Sequence, residues 1–278
     1  PTTTCNHTGG TDALTSNLHV GLNSFWAIFN HTYPQASEPP TPKAQGLATL
    51  SVTASMAASS VFGAVLNTSS AIYSSNVTDD GSGSLLTEVW VARPANVVLV
   101  QLRNTNASAP VKLNITLAPA VPDNSTSPSW PACLACNTTS QALSLTRLAL
   151  SNASRPITAV TTVRAIGASL TDIDVSALAV SAHVTVASQA VIVVCVSSSE
   201  SPNDCDQFTT PAAVAQLAEQ HKTWWSGFWA RSGIRLESEG LLEAYWYGSR
   251  YLLASASAPG RVAPGLWGPW VTAAQPAW

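Results

Sequence analysis

The stretch Leu178-Ala-Val-Ser-Ala-His-Val-Thr-Val-Ala-Ser-Gln-Ala-Val-Ile-Val-Val-Cys-Val196 contains two patterns of apolar side chains, and both are typical of β-structure. From Leu178 to Ala187 aliphatic residues alternate with small or polar ones, which predicts a strand with one buried face. From Val191 to Val196 the residues are continuously apolar and mostly β-branched, which is typical of a strand covered on both faces.

Similar short segments recur earlier in the chain, where a period of two dominates from about Leu47 onward. Turns rich in Asn, Ser, Gly, Asp and Pro separate them, and this arrangement predicts an antiparallel β-sandwich. Two proline-rich patches, 38–42 and 121–131, are predicted to be surface loops. The other predicted strands are Leu86 to Val91, Asn96 to Leu102, Val111 to Leu117, Leu143 to Leu150 and Ile157 to Ile166.

At Thr209 the pattern changes from strands to helices. Thr210-Pro211 is a helix start signal, and an apolar face with helical spacing follows until Gly233. A second helix is predicted from about Gly240 to Ser257, before Pro259-Gly260. We therefore divide the chain into a β-sandwich domain (1–208), a helical linker (209–235) and a second helical unit (236–278).

Beyond the second helix lies a loop rich in Trp, Gly and Pro, from Arg261 to Trp270. Indole faces can stack on the C–H faces of sugar rings, so Trp267 and Trp270 are candidate sugar contacts. The alternative is that both side chains fill the core at the end of a helix.

The composition excludes several classes of function. Lys and Arg total 12 against 15 Asp and Glu, giving a net charge of −3, so the chain lacks the basic surface that nucleic acid requires. Only 10% of the residues are charged, against roughly 25% in an average domain. With 46% hydrophobic residues and ten Trp, the chain can bury a core and is not disordered. Polar residues such as Ser181 and His183 interrupt its most apolar region, so no membrane span is predicted.

Asn-x-Ser/Thr sequons are concentrated in the first part of the chain, up to residue 152. Each is an acceptor for a hydrated glycan if the protein passes through a secretory pathway. Their number predicts an extracellular glycoprotein, secreted or on the cell surface; the alternative is an accident of a Ser/Thr-rich composition. The nine acceptors are Asn6, Asn30, Asn67, Asn76, Asn106, Asn114, Asn124, Asn137 and Asn152.

The five cysteines support disulfides rather than a metal site. Cys195 and Cys205 flank a polar turn, which favours a local bridge. Cys133 and Cys136 have the spacing of a redox or half-zinc motif, but no second pair or nearby His completes four ligands. We expect Cys133 and Cys136 to form a structural disulfide with each other, or one of them to pair with Cys5. We predict no metal and no cofactor.

Other candidate reactive residues have structural interpretations. Glu237 and Glu239 lie near the start of the second helix, where the helix dipole favours carboxylates. Asp172 and Asp174 alternate along a strand edge or turn and make an incomplete calcium shell. His221 is predicted to be a hydrogen-bonded core residue. The remaining assignments are His183 on the polar side of its strand and Arg250 as an anchor between helices through a carboxylate or carbonyl.

The segment Leu242-Glu-Ala-Tyr-Trp-Tyr-Gly-Ser-Arg-Tyr-Leu-Leu-Ala-Ser-Ala-Ser-Ala-Pro-Gly260, continuing to Leu266-Trp-Gly-Pro-Trp270, resembles glycoside hydrolase family 95. That family contains α-L-fucosidases and α-galactosidases. The preceding stretch 221–234 looks like the linker helix of the family. The match covers about 220–278, and the first 200 residues agree in general character.

This resemblance implies a β-supersandwich, a helical linker and the first helix of an (α/α)6 barrel. In the family, the segment after Pro-x-Trp continues into an Asn-x-Asn motif, with acidic residues further along. No residue of this chain matches those catalytic positions, so the resemblance implies that they lie beyond Trp278 or on another polypeptide. It also implies that residues 245–278 pack against the rest of the barrel or another chain, and that the ligand is carbohydrate.

Two functions follow from these observations. The first is the N-terminal part of a secreted glycosidase whose catalytic residues lie outside this chain. The second is a non-catalytic structural or carbohydrate-binding glycoprotein derived from the family. The second is favoured by Ala258, Trp267 and Val271, which stand where the family usually has Arg, Gln and Asn.

Overall fold

The computed structural model describes residues 5–10, 13–29, 41–54, 61–79, 83–93, 95–105, 109–120, 133–139, 141–149, 157–176, 179–199 and 202–257. Fourteen strands come first along the chain and two α-helices follow. The strands are β1 Cys5–Gly10, β2 Ala13–Phe29, β3 Thr41–Ala54, β4 Val61–Asn67, β5 Ile72–Asp79, β6 Gly83–Ala92, β7 Val97–Asn104, β8 Val111–Pro119, β9 Cys133–Thr139, β10 Ala142–Ala149, β11 Ile157–Ile166, β12 Leu170–Val175, β13 Val180–Val186 and β14 Gln189–Ser198. The helices are α1 Pro211–Ala230 and α2 Gly240–Ala256, with a short 3₁₀ turn, Cys205–Gln207, before them.

The strands form two sheets, as the alternating pattern predicts. One sheet has six strands in the order β1-β2-β3-β8-β13-β12, and the other has eight in the order β4-β5-β6-β7-β14-β11-β10-β9. The neighbouring strands pair antiparallel. Alternate residues of β8 and β13 are buried between the sheets, including Leu113, Ile115, Val180 and Val184. The fold is therefore a β-sandwich followed by helices.

Strand β14 shows why one segment of the sequence is continuously apolar. Ile192 and Val194 lie in the core between the sheets. Val191 and Val193 lie on the opposite face, in a second core that also contains Leu217 of α1. Because each face of the strand packs on a separate core, no position from Val191 to Val196 can be polar without a buried partner.

Two features at the start of the chain were not predicted. Strands β1 and β2 precede Leu47, and β3 begins at Thr41, so the loop predicted at 38–42 is wrong at its end. Thr41 and Pro42 are the first residues of β3, a position in a strand that proline tolerates. The proline-rich segment 121–131 lies outside the described residues.

The two helices have clear local causes. The Oγ1 of Thr210 accepts a hydrogen bond from the Ala213 amide at 3.2 Å, and Pro211 opens α1, as the start signal predicts. The cap of α2 is different, because Glu239 makes no side-chain cap. Instead Glu243 Oε2 accepts from the Leu236 amide at 2.8 Å, which ties the first turn of α2 to the preceding segment. Helix α1 ends at Ala230, before Gly233.

The cysteine predictions have different outcomes. Cys195 of β14 and Cys205 form a disulfide with a Cα–Cα distance of 5.7 Å, the local pairing expected across the polar turn. Cys133 and Cys136 both lie in strand β9. In an extended backbone their Cα atoms are about 10 Å apart, whereas a disulfide needs less than about 7 Å. An extended backbone disfavours a bridge between these two cysteines, and their disulfide, with each other or of one of them with Cys5, stays a prediction.

An arginine lies in the core of the sandwich. Arg147 follows Leu143 and Leu145 on the buried face of β10, and only 2% of its surface is exposed. One guanidinium nitrogen donates to the carbonyl oxygens of Gly46 at 2.6 Å and Leu47 at 3.1 Å, and reaches that of Ala120 at 3.4 Å. This side chain therefore joins β10 to the opposite sheet.

Candidate functional site

Helix α1 attaches the helical part to the sandwich. Its N-terminal half presents Val214 and Leu217 to the outer face of the eight-stranded sheet, where Leu99 and Val193 are buried beneath them. Phe208, just before the helix, joins the same cluster. Apolar burial at this contact therefore holds α1 against the sheet.

The C-terminal half of α1 forms an aromatic cluster with α2. Trp225 is 2% exposed and lies at the centre, with ring-centroid distances of 4.9 Å to Trp224, 5.5 Å to Phe228 and 5.6 Å to Tyr251. Trp229 extends the cluster to Tyr247, at 5.7 Å. These offset and edge-to-face geometries are the favourable ones for aromatic pairs, so the cluster joins the two helices.

Polar contacts fix the segment between the helices. Arg250 of α2 donates to the carbonyl oxygen of Ser232 at 2.8 Å and to its hydroxyl. The same guanidinium lies over Phe228 and Trp246, 4.7 and 4.8 Å from the ring centres. Tyr247 donates to the Ile234 carbonyl at 3.0 Å. The prediction that Arg250 anchors helix to helix is confirmed, and the acceptor is a carbonyl and a hydroxyl.

The described tryptophans of this cluster are used for packing. Phe228 stacks parallel to Trp224 at 5.5 Å, and Arg93 lies over the Trp224 ring at 4.6 Å. Arg93 also donates to the carbonyl oxygen of Ala254 in α2. Because protein groups occupy the stacking surface of Trp224, this ring is not free to receive a sugar. The two tryptophans predicted as sugar contacts, Trp267 and Trp270, lie outside the described residues.

The face of α2 turned away from this cluster is apolar and exposed. Its exposed fractions reach 70% for Leu241 and 67% for Leu253. Leu242, Tyr245 and Leu252 are also more than half exposed. A contiguous apolar surface of this kind on a folded protein usually marks a contact with further protein or ligand. We take this surface, the α2 face, as the candidate functional site.

His221 lies on the buried side of α1 and is 1% exposed. Its Nε2 donates to the carbonyl oxygen of Ser70 at 2.7 Å, so the predicted hydrogen-bonded core histidine is confirmed. Burial lowers the pKa of His221 below its usual value near 6.5. The carbonyls of Ser70 and Val91 partly oppose this shift in pKa, and the positive charge of Arg93 adds to it.

Acidification is therefore expected to destabilise the protein through His221. Below about pH 6.5 the His221 side chain binds a proton in the unfolded chain, whereas in the folded chain its lowered pKa keeps it neutral. The free energy of unfolding therefore falls as pH decreases, by at most about 1.4 kcal/mol per pH unit. Urea unfolding at a series of pH values measures this slope. His221→Gln should reduce it relative to the unsubstituted protein. Equal slopes for the variant and the unsubstituted protein would contradict this role of His221.

Acidic residues of the described chain have structural partners or surface positions. Glu219 pairs with Lys222 at 2.8 Å, and Glu237 and Glu239 are exposed near the start of α2. Asp172 has a positive φ of 48° in β12, and its carboxylate lies 3.4 Å from Nδ1 of the exposed His183. Among the described residues, no group of three His, Cys, Asp or Glu side chains could hold a metal ion.

Three predicted glycan acceptors have described side chains, and all three are exposed: Asn67, Asn76 and Asn114. Asn67 Oδ1 accepts from the Ser69 amide at 3.0 Å and the Ser69 hydroxyl at 2.6 Å, which directs its amide nitrogen away from the turn. Asn114 lies in β8, near the middle of the six-stranded sheet, on its polar outer face. The side chains of Asn6, Asn30, Asn106, Asn124, Asn137 and Asn152 lie outside what the structure describes.

Sequence reasoning indicated the segment that contains the α2 face, but it missed the buried Arg147. Arg147 was missed, because a charged residue in an alternating segment is normally assigned to the solvent face. Leu252 and Leu253 are exposed and lie in the segment 245–278, which the resemblance implies is packed against further protein. In the described part of the chain, no helix is both long and apolar enough to cross a bilayer. No protein-family model matches the chain, and a search of curated proteins found no match.

Proposed function

We propose that this chain is the N-terminal part of a secreted glycoside-hydrolase-like glycoprotein, similar to the α-L-fucosidases of family 95. In this proposal the sandwich and α1 form a support, and α2 is the first helix of an (α/α)6 barrel. The groups that hydrolyse the glycosidic bond lie outside these 278 residues.

The α2 face is the observation that carries this proposal. Its leucines are exposed while the other side of the helix is held against α1 through Tyr251 and Arg250. A helix of a helical barrel needs apolar contacts on both sides, because each helix packs on neighbours and on the sandwich. The order of strands first and helices second also agrees with the resemblance.

Extracellular location is supported by two features. The disulfide between Cys195 and Cys205 is stable in an oxidising compartment. The exposed sequon asparagines, Asn67, Asn76 and Asn114, are accessible for glycans. The α2 face lies after residue 152, in a part of the chain that contains no sequon of this type, so it carries no glycan of its own.

The experiment compares this chain with the natural polypeptide extended past Trp278, both made in a secretory host. We expect the extended protein to hydrolyse an aryl α-L-fucoside or an aryl α-galactoside, and the 278-residue chain to hydrolyse neither. In the extended protein, Leu253→Asp on the α2 face should reduce activity, because it places a charge in an apolar contact.

Val175→Asp is the matched control, because Val175 is also exposed but lies on β12, away from the helices. It should leave the activity of the extended protein unchanged. Turnover by the 278-residue chain alone, or no turnover by the extended protein on either substrate, would refute the hydrolase proposal.

The second candidate is a non-catalytic relative that binds carbohydrate or serves as an extracellular structural protein. It is favoured by Ala258, Trp267 and Val271, which remove polar groups from the segment that resembles the family's motif. Binding of the extended protein to a glycan array without turnover would support this candidate over the hydrolase.

A further inference from the structure

Asn114 lies in the interior of the six-stranded sheet, whereas Asn67 is the last residue of β4, at the turn before β5. On β8, Asn114 is directly opposite Thr53 of β3 on one side and His183 of β13 on the other. Side chains that oppose each other on one face of a sheet have Cβ atoms about 4.5–5.5 Å apart. A sugar joined to Asn114 is therefore flanked by side chains of two neighbouring strands.

The surface around Asn114 is polar in every direction that the pairing register defines. Side chains alternate across a strand, so the neighbours of Asn114 on its own strand are two residues away on either side. We call this surface the Asn114 patch; it consists of Ser51 and Thr53 of β3, Lys112 and Thr116 of β8, and Ser181, His183 and Thr185 of β13. All of these side chains are at least partly exposed. Their hydroxyl, amine and imidazole groups can form hydrogen bonds with the hydroxyl and acetamido groups of a glycan.

A bulge in the neighbouring strand brings a carboxylate to the same patch. The pairing of β12 with β13 shifts register between Thr171 and Asp174, and Asp172 within the bulge has a φ of 48°. Bulges redirect side chains, and Asp is one of the few residue types that adopt this backbone conformation readily. The carboxylate of Asp172 lies 3.4 Å from Nδ1 of His183, and the two side chains remain 78% and 50% exposed. Both groups are therefore accessible to a ligand that lies on the sheet.

We propose that the Asn114 patch is the binding site for the protein's own N-linked glycan on Asn114. Its first sugars lie across β13, because His183 and Asp172 offer a hydrogen-bonding pair on that side. The covalent bond identifies the occupant: a glycan on Asn114 is held beside these groups at high effective concentration, and no other molecule has to be recruited. This inference rests on the glycosylation that is part of the proposed function.

A glycan held on the sheet is less accessible to enzymes than one that extends into solvent. The test is release of the glycans by peptide N-glycosidase from the native secreted protein at its natural length, followed at each site by glycopeptide mass spectrometry. We expect release at Asn114 to be at least about tenfold slower than at Asn67, since the sugar contacts must first break. After denaturation the two sites should be released at similar rates.

Two substitutions test whether contacts with His183 and Asp172 cause the protection. His183→Ala removes the imidazole, and Asp172→Asn removes the charge while keeping a residue type that tolerates the positive φ. Each should speed release at Asn114 by about three- to tenfold and leave release at Asn67 unchanged. Glu219→Gln is the matched control, because Glu219 is also an exposed, ion-paired carboxylate but lies on α1. It should change neither rate.

Equal release at Asn114 and Asn67 from the native protein would overturn the proposal, as would a rate at Asn114 that neither substitution changes. An unmodified Asn114 beside a glycosylated Asn67 would also overturn it and would leave the extracellular glycoprotein intact. If no sequon carried a glycan, the glycosylation in the proposed function would fail as well. Hydrolase activity affects none of these measurements.

Discussion

Replacing Trp225 with alanine is expected to lower the free energy of unfolding by about 3–5 kcal/mol, because it removes the centre of the aromatic cluster. Trp225 is 2% exposed and contacts rings on both helices. Its loss leaves a cavity between α1 and α2 and takes the stacking partner of Tyr251 away. We therefore expect faster amide hydrogen exchange throughout α2, in addition to the lower stability seen in urea unfolding.

Tyr245→Ala is the matched control for this experiment. Tyr245 is an aromatic residue of α2 but is 66% exposed, so its truncation should change the stability of the 278-residue chain by less than about 0.5 kcal/mol. If Trp225→Ala left the exchange of α2 amides unchanged, the cluster would not be what holds α2 to the sandwich.

Replacing Arg147 with methionine is expected to cost about 1–3 kcal/mol of folding stability for each carbonyl oxygen that it leaves without a partner. The change keeps an unbranched apolar stem but leaves the carbonyl oxygens of Gly46 and Leu47 without this buried donor. Those oxygens lie in the opposite sheet from β10, so the penalty applies to the contact between the two sheets. Urea unfolding followed by tryptophan fluorescence measures the effect.

Arg103→Met tests whether the effect belongs to the buried site. Arg103 lies on β7 and is exposed, so its replacement should change stability by less than about 0.5 kcal/mol. Similar losses for the two variants would show that Arg147 contributes through general charge and not through its buried hydrogen bonds.

The local signals in this sequence predicted much of the fold. The alternating and continuous apolar patterns gave β13 and β14, and Thr210-Pro211 gave the start of α1, because each depends on neighbouring residues alone. Strands β1 and β2 lack a sustained period of two. They are strands because they pair with each other and with β3, and pairing between distant segments has no local signature.

The candidate site was predictable only in part. The helical spacing of the aromatic residues indicated one apolar face on α1, and the resemblance implied that α2 has a covered side. The role of Arg93, which covers Trp224 and reaches Ala254, joins residues 161 positions apart. Arg147 likewise reaches Gly46 across 101 positions. Contacts over such separations follow from the packing of the sheets and helices, not from local sequence.

The most direct test of the account is peptide mapping of the native protein by mass spectrometry, searched against the encoding transcript past Trp278. We predict peptides that continue beyond Trp278 into an Asn-x-Asn segment, followed by acidic residues able to act on a glycosidic bond. That continuation would supply the protein that covers the α2 face. A native chain that stops at Trp278, or continues without those residues, would contradict the hydrolase proposal and leave the non-catalytic relative as the function.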